Sequence, residues 1–349
     1  MHGFACLDAL VTGERPPGGY LDTEQGFRVY FARSFGNIAS TAIAPGFPFL
    51  LRRLASRYDI VHIHLPDPLS VISCLLLPSS IPLVATWHSD VIRQKRMLRA
   101  YQPFVDRLLR RLKFLIAPTP RHFETSTQLY ACDESRRRVI PFGVEEERLR
   151  VTPAIQSLIN QWREKAGGKK LLFAVGRHVY YKGFEYLVQA LQSVDSDVML
   201  VLAGSGPLTE TYRSIARRLG VEDRIVLPGR ISDDELVALM HACDIFCMPS
   251  VERSEAFGLV QLDAMACGKP VICCELNNGV TYVNLHERSG LVVPPKDFQA
   301  LAAAINRLVR DDALRTRLGI WGQNRILKDF RHDVMVRETL NLYREVIKR

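Results

Sequence analysis

The chain has 349 residues, 47% of them hydrophobic and 24% charged, with a formal net charge of +9. That length suits two hydrophobic cores better than one, and that balance of apolar and charged residues excludes a disordered chain. The start, M-H-G-F-A-C-L-D, lacks a basic segment leading into an apolar one, which argues against a secretory signal. Leu69–Ala85, the most apolar window, is broken by Pro78, Ser79, Ser80 and Pro82 and reads as a buried helix and strand rather than a membrane span.

Eight cysteines without paired C-x-x-C spacing point to buried free thiols in a reducing cytoplasm rather than disulfides or zinc. The charge is uneven: residues 1–150 hold 20 Lys and Arg against 14 Asp and Glu, the remainder 26 against 23. An anionic partner for the first half follows, and nucleic acid, a membrane surface and a phosphorylated substrate all qualify.

In chain order, strands are expected at Cys6–Val11, Phe27–Phe31, Asp59–His64, Pro82–Trp87, Phe114–Ala117 and Arg138–Pro141. Helical patterns at Phe47–Tyr58, Val91–Leu112 and Arg121–Tyr130 separate several of them. The second half offers strands at Lys170–Val175, Val198–Ala203, Arg224–Leu227, Asp244–Met248, Pro270–Cys273 and Gly290–Val293. Helices at Gly183–Gln192, Pro207–Leu219, Asp233–His241 and Ala256–Cys267 lie between. Continuous apolar runs such as L-L-F-A-V and V-M-L-V-L-A are what a parallel sheet covered on both faces requires. Two such arrays predict two doubly wound α/β domains, divided within Phe142–Pro153. From Pro294 to the end the pattern is helical.

The richest stretch is Arg253–Pro270, R-S-E-A-F-G-L-V-Q-L-D-A-M-A-C-G-K-P. Glu255 is followed by a small–aromatic–glycine break and an apolar-periodic run, with Asp263 eight residues on. A helix opening at such a glycine presents free N–H groups to an anion. Earlier, Gly176 ends a strand and is followed by Arg177 and Lys182, at the sheet edge where open α/β folds bind ligands. Arg supplies a fork and Lys a point charge for phosphate, although solvated loop cations would look the same. The G-S-G at Gly204 is weak alone. Gly229–Ile231 leads into a helix with Ser232 as N-cap and Glu235 completing a capping box.

Taken together, G-R-(x)4-K-G, L-A-G-S-G-P-L, L-P-G-R-I and P-S-(x)4-E-A-F-G-L-V-Q-L-D-A-M-A-C-G-K-P-V, in that order, resemble the GT4 family of retaining glycosyltransferases. D-I-V-H-I-H-L-P, T-W-H-S-D-V and R-V-I-P-F-G-V resemble that family's acceptor-domain motifs. The resemblance implies a GT-B fold, two Rossmann-like doubly wound domains facing across a cleft. Residues 1–148 would bind acceptor, 149–330 nucleotide sugar, and 331–349 would form a helix packing back on the first domain. It is similar most of all to bacterial enzymes of surface-polysaccharide synthesis, many of them mannosyltransferases.

By that resemblance, Arg177 and Lys182 would hold the donor diphosphate and Glu255 the sugar hydroxyls. Gly176, Gly204, Arg230, Ile231, Ala256, Phe257, Gly258 and Leu259 would complete the donor site, with Asp263 on the ribose and His88 near the reacting carbon. The donor would be a nucleotide diphosphate sugar, GDP-mannose ahead of a UDP-sugar, and the acceptor a lipid-linked sugar. Negative charge growing on the departing diphosphate would meet Arg177, Lys182 and a helix N-terminus, so neither cofactor nor metal is expected. Retention would follow front-face attack, the leaving phosphate helping to take the acceptor's proton.

Two departures stand out. Cys6–Val11 reads like the family's second strand, so the first strand, its Gly loop and its helix are expected to be missing; Pro16–Gly19 would be a turn instead. Asp263 replaces the usual Glu, shortening its reach by one methylene. Asp195-Ser196-Asp197, a D-x-D, is expected to be a turn rather than a metal site. Of His62 and His64, one is expected to pack and the other to face the cleft.

A basic amphipathic helix carrying Arg93, Lys95, Arg96, Arg99, Arg107, Arg110 and Arg111, interleaved with Met97, Leu98, Tyr101, Phe104, Leu108 and Leu109, is expected to lie on an anionic membrane surface. Arg136–Arg138 would extend it. Peripheral attachment at the inner membrane face follows, and nucleic acid is disfavoured. Rival readings are an inactive donor-binding remnant and a nucleotide-sugar epimerase of the same fold.

Overall fold

The computed structural model describes residues 7–13, 19–38, 41–92 and 94–348. The chain divides into two units, one running to Ile140 and resumed from Val336, the other Pro141–Met335.

In the first unit, β1 (Ala9–Gly13), β2 (Tyr20–Asp22) and β3 (Arg28–Arg33) form a small sheet in the order β1-β3-β2, parallel between β1 and β3 and antiparallel between β3 and β2. The short β2, unmarked in the sequence pattern, fills the span between Gly19 and β3. Pro16, Pro17, Gly18 and residues 1–6 lie outside the described residues. A ribbon of β4 (Asn37–Ile38) and β5 (Thr41–Ala42) follows, then α1 (Phe47–Ala55). The main sheet is β6 (Val61–Leu65), α2 (Pro68–Leu75), β7 (Leu83–Trp87), α3 (Lys95–Arg111), β8 (Phe114–Ala117), α4 (Pro120–Thr125) and β9 (Arg137–Val139), its four strands parallel in the order β6-β7-β8-β9.

Local chemistry sets these boundaries. Asp67 caps α2, accepting from Ser70 N at 2.9 Å, with Pro68 as first helical residue. The expected helix from Val91 begins only at Lys95, because the preceding segment is held elsewhere. Asp90 accepts from Trp87 Nε1 at 3.0 Å and Ser126 Oγ at 2.6 Å, and the Gln128 amide pairs with Val91 N at 3.1 Å and Val91 O at 3.2 Å.

The first long helix of the second unit is α5 (Pro153–Ala166), capped by Thr152 and closed by Gly167, an element absent from the sequence expectations. Then come β10 (Lys170–Val175), α6 (Phe184–Ala190), β11 (Val198–Ala203), α7 (Thr209–Arg218), β12 (Ile225–Val226), α8 (Asp233–Ala242), β13 (Ile245–Met248), α9 (Leu259–Ala266), β14 (Val271–Cys274), α10 (Gly279–Val283), β15 (Gly290–Val293), α11 (Phe298–Arg310) and α12 (Asp312–Asp329); the last helix, α13 (His332–Lys348), starts in this unit and from Val336 belongs to the first. Six parallel strands lie in the order β12-β11-β10-β13-β14-β15. The chain winds outward from β10 to β12, returns to β13 and winds the other way. That reversal leaves a ligand crevice at the carboxyl ends of β10 and β13. The whole of β11 and Leu171–Ala174 of β10 are buried.

The division falls after Ile140, just before the Phe142–Pro153 stretch in which it was expected and eight residues before the 148/149 boundary. Val144 exchanges backbone bonds with the junction between α12 and α13, Val144 N to Phe330 O at 2.9 Å and His332 N to Val144 O at 3.2 Å. A Cβ on Gly143 would sit 2.5 Å from His332 Cα, so the segments approach closely only because that residue is glycine. The cysteines among the described residues are free thiols, most of them buried. No helix among the described residues is long and apolar enough to cross a membrane.

Candidate functional site

The crevice of the second unit is built from loops stitched through their backbones. Gly204 N donates to Gly229 O at 2.7 Å and Gly176 N to Ala203 O at 3.1 Å. At Gly204 φ is +115° and a Cβ would sit 1.9 Å from Gly176 O, so only glycine brings the loops after β10 and β11 together. Arg177 follows, exposed. Arg230 at the end of the third loop donates Nε to Ser205 Oγ at 3.3 Å, and Ile231 packs on the core. The expected capping box at Ser232 and Glu235 is present.

Lys182 ends a short turn, and its Nζ reaches Glu255 Oε2 at 2.5 Å, the two side chains 15% and 12% exposed. Such a desolvated pair needs further bonds. Ser250 Oγ supplies one to the same oxygen at 3.0 Å, while Asn278 Nδ2 holds the Glu255 carbonyl at 2.7 Å. Ser250 stands in the P-S-(x)4-E motif without a role assigned to it from the sequence, and Asn278, before a small residue and an apolar run, was a legible N-cap.

The helix expected over Ala256–Cys267 begins three residues later, at Leu259. Gly258 adopts φ +71°, and no side chain caps the helix start. Ala256 and Phe257 therefore belong to the loop. Phe257 is buried edge-on to Phe142 and Phe330, whereas Leu259 is exposed. Asp263 lies one turn into α9, buried, with Arg148 Nη2 on its Oδ1 at 2.6 Å. Burial pushes its carboxyl above the usual range, and Arg148 opposes that shift. Arg148 was not marked by the sequence, since it stands in an ordinary-looking charge run.

His88 lies in the first unit, after β7. The β6–β7 register sets His64 opposite Thr86, and the period-2 alternation puts His62, His64, Thr86 and His88 on one face. His64 Nδ1 lies 2.8 Å from His88 Nε2, and the three rings stack at centroid spacings of 5.0 Å. His62 is the packed member, with Tyr343 Oη at 2.5 Å from Nδ1 and Thr86 Oγ1 at 2.8 Å from Nε2, and His64 the exposed one. Burial first, then the neighbouring imidazoles, pushes His62 down to about 3 and His88 to about 4; burial also lowers His64. All three are neutral near pH 7.

The basic helix, α3, divides its residues between the interior and the surface. Leu108 and Leu109 lie in the core, Tyr101 packs against it and Leu98 is half-buried, so much of the apolar stripe is spent inside the unit. Arg111 also turns inward, donating to the Cys74 and Pro78 carbonyls at the end of α2. Arg96, Arg99, Arg107 and Arg110 remain exposed beside Met97 and Phe104. Arg93 and the side chain of Lys95 lie outside the described residues. Arg136 caps α3 through the Arg110 and Leu112 carbonyls, and Arg138 lies over the Phe114 ring, 4.2 Å from its centroid. Asp195 is gripped by Arg310 at 2.7 and 2.6 Å and its N–H by Asn306, a braced turn.

Residues 157–325 match the family model described as glycosyl transferases group 1, and residues 10–148 the one described as glycosyltransferase family 4. The chain is 31% identical to the O-antigen chain mannosyltransferase C of Escherichia coli over 92% of its own length and 84% of that protein's. It is 38% identical to the D-rhamnosyltransferase WbpZ of Pseudomonas aeruginosa over 81% and 72%. Among solved structures it resembles sucrose-phosphate synthase from Thermosynechococcus elongatus, with a TM-score of 0.78 at 23% identity over 98% and 89% of the two chains. Anabaena HepE in complex with UDP and glucose gives a TM-score of 0.75 at 21% identity over 92% and 86%. These two likenesses show the GT-B fold.

Proposed function

This chain belongs to the family of group 1 and family 4 glycosyltransferases, and on that premise we propose that it transfers mannose from GDP-mannose, with retention, to a lipid-linked oligosaccharide in surface-polysaccharide synthesis. The observation that carries the donor half is the buried Lys182–Glu255 pair beside the uncapped start of α9, at the reversal of the strand order. Lys182 with Arg177 would meet the diphosphate, and Glu255 would exchange its internal bonds for sugar hydroxyls. As the anomeric C–O bond to the β-phosphate breaks, the electron pair goes to the diphosphate, where these cations and the helix N-terminus stabilise it. Asp263, braced by Arg148, would bond the ribose, and His88 the sugar. No metal or cofactor takes part in this reading.

The E. coli relative is a mannosyltransferase, which supports mannose, and the higher identity to a D-rhamnosyltransferase supports a second donor, the 6-deoxy sugar of the same configuration. Calorimetry with GDP-mannose, GDP-D-rhamnose and UDP-glucose tests this. A GDP-sugar should bind at least about tenfold tighter than UDP-glucose, a difference of about 1.4 kcal/mol; tighter UDP-glucose binding sinks the choice of base. Binding without transfer to any lipid-linked acceptor would favour the inactive remnant, and donor turnover without acceptor the epimerase.

The acceptor reading includes an anionic membrane surface at the inner face, supported by Arg96, Arg99, Arg107 and Arg110 standing exposed around Met97 and Phe104. Phosphatidylglycerol vesicles should bind the chain and lose it when these four arginines become glutamate.

A further inference from the structure

We propose that Ser250 is a positioning residue for Glu255: its hydroxyl holds the carboxylate by one oxygen, so that the other stays free for the sugar once Lys182 turns to the donor's diphosphate. The inference rests on the proposed reading of Glu255 as the sugar contact and Lys182 as a diphosphate contact. It adds that Glu255 gives up only one of its two internal side-chain bonds when donor binds.

Lys182 Nζ and Ser250 Oγ converge on the same oxygen, Oε2, at 2.5 and 3.0 Å, and Oε1 has no hydrogen-bond partner among the described residues. A carboxylate beside an ammonium only accepts, so the serine hydroxyl is the donor, and its charge-assisted bond is of the stronger kind. The two partners differ in mobility. Lys182 carries a point charge on a flexible stem, which a diphosphate can draw away. Ser250 is 1% exposed and its short side chain has little freedom, so its oxygen stays where the backbone puts it.

The backbone is fixed independently of that hydroxyl. Val251 N donates to Tyr181 O at 2.8 Å, and a Cβ on Gly183, where φ is +66°, would sit 2.1 Å from Pro249 O. The turn carrying Lys182 thus lies directly against the segment carrying Ser250. Glu255 is held at both main-chain groups, its N–H by Glu252 O at 3.0 Å and its carbonyl by Asn278 Nδ2 at 2.7 Å. Removing the hydroxyl therefore leaves the loop in place and frees only the Glu255 side chain. With Lys182 engaged elsewhere, that side chain would have no tether, and binding the sugar would have to order it.

The test is calorimetry of the full chain with two probes, GDP-mannose and GDP, which differ by the sugar that Glu255 would touch. Ser250→Ala should bind GDP-mannose about tenfold more weakly than the wild type and GDP within about twofold of it, as expected for one lost bond to a charged group. In an E255A background, S250A should add less than about twofold for either probe, because the group it acts through is gone. Melting temperatures check folding. S250C, of nearly the same shape but a weak donor, replaces S250A if that chain does not fold, and E255M likewise replaces E255A. Equal losses for GDP and GDP-mannose overturn the proposal, since the loop and not the carboxylate has then moved. So does a loss that persists undiminished without Glu255, or S250A binding both probes like the wild type while E255A loses GDP-mannose. An E255A chain that holds GDP-mannose as tightly as the wild type sinks the sugar-contact reading itself and the proposal with it, a result distinct from the others.

Discussion

The two units assemble their candidate groups by different means. In the second, Gly176, Lys182, Gly204, Glu255 and Gly258 sit on short loops at the ends of β10, β11 and β13, each loop fixed by its own glycine or by a bond to the next. In the first, His62, His64 and His88 meet through the register of β6 on β7, and the stack is anchored by Tyr343 from the last helix. A site made of loop chemistry announces itself as motifs; a site made of register is written only as alternation.

The sharpest way to break this contrast is at Lys182. K182M leaves the Glu255 carboxylate buried without its cation, and should cost about 3–5 kcal/mol of stability and roughly 10²–10³-fold in kcat. The K182M/E255L double variant should recover most of the stability and none of the activity, read by urea unfolding and transfer assays. If the double variant is as unstable as the single, the pair is not the cause.

Next in size is Gly204→Ala. It puts a Cβ into Gly176 O in a left-handed backbone, so a loss of roughly 1–3 kcal/mol from strain alone, with weakened donor binding, is expected. Unchanged melting and calorimetry would mean that the two loops can separate at no cost.

The units should also answer acid in opposite directions. His62 and His88 have folded values of about 3 and about 4, below the ordinary 6.5. Their contribution is therefore complete above pH 6.5 and is lost as pH falls towards those values, because the unfolded chain then binds more protons. Asp263 is raised above its ordinary 3.8, so its contribution improves as pH falls and is worst above its folded value. His62→Phe should flatten the loss of melting temperature between pH 6.5 and 4; an unchanged slope would show that the stack does not set acid stability.

Arg148→Met gives the smallest effect. Without the guanidinium, burial alone acts on Asp263, and the chain should lose about 1–2 kcal/mol at pH 7.5, discounted because Arg148 is half exposed, and less at pH 4.5. Asp263→Asn should suppress the difference between the two pH values.

Much of this was legible beforehand. The six strands of the second sheet appeared as continuous apolar runs, and the loop around Gly258 as a break before a periodic helix. The start of α9 was misplaced by three residues because helical propensity in A-F-G says nothing of the Asn278 bond that holds the preceding loop. The α3 stripe was visible as amphipathic, yet amphipathicity is the same whether the apolar face meets lipid or its own sheet; only the burial of Leu108 and Leu109 decided that. Arg111 looked like its neighbours until its bonds to the end of α2 were seen.

Sequence alone determined the parallel α/β class, the order of the glycine loops and the identity of Lys182 and Glu255 as charged groups at strand ends. These depend on residues close together in the chain, where periodicity and turn chemistry act locally. Tertiary structure alone decided that Lys182 and Glu255 share a buried bond, that Arg148 braces Asp263, and that Tyr343 anchors a column of neutral histidines. Each joins residues 73, 115 or 281 positions apart, and nothing in the local pattern of either partner names the other.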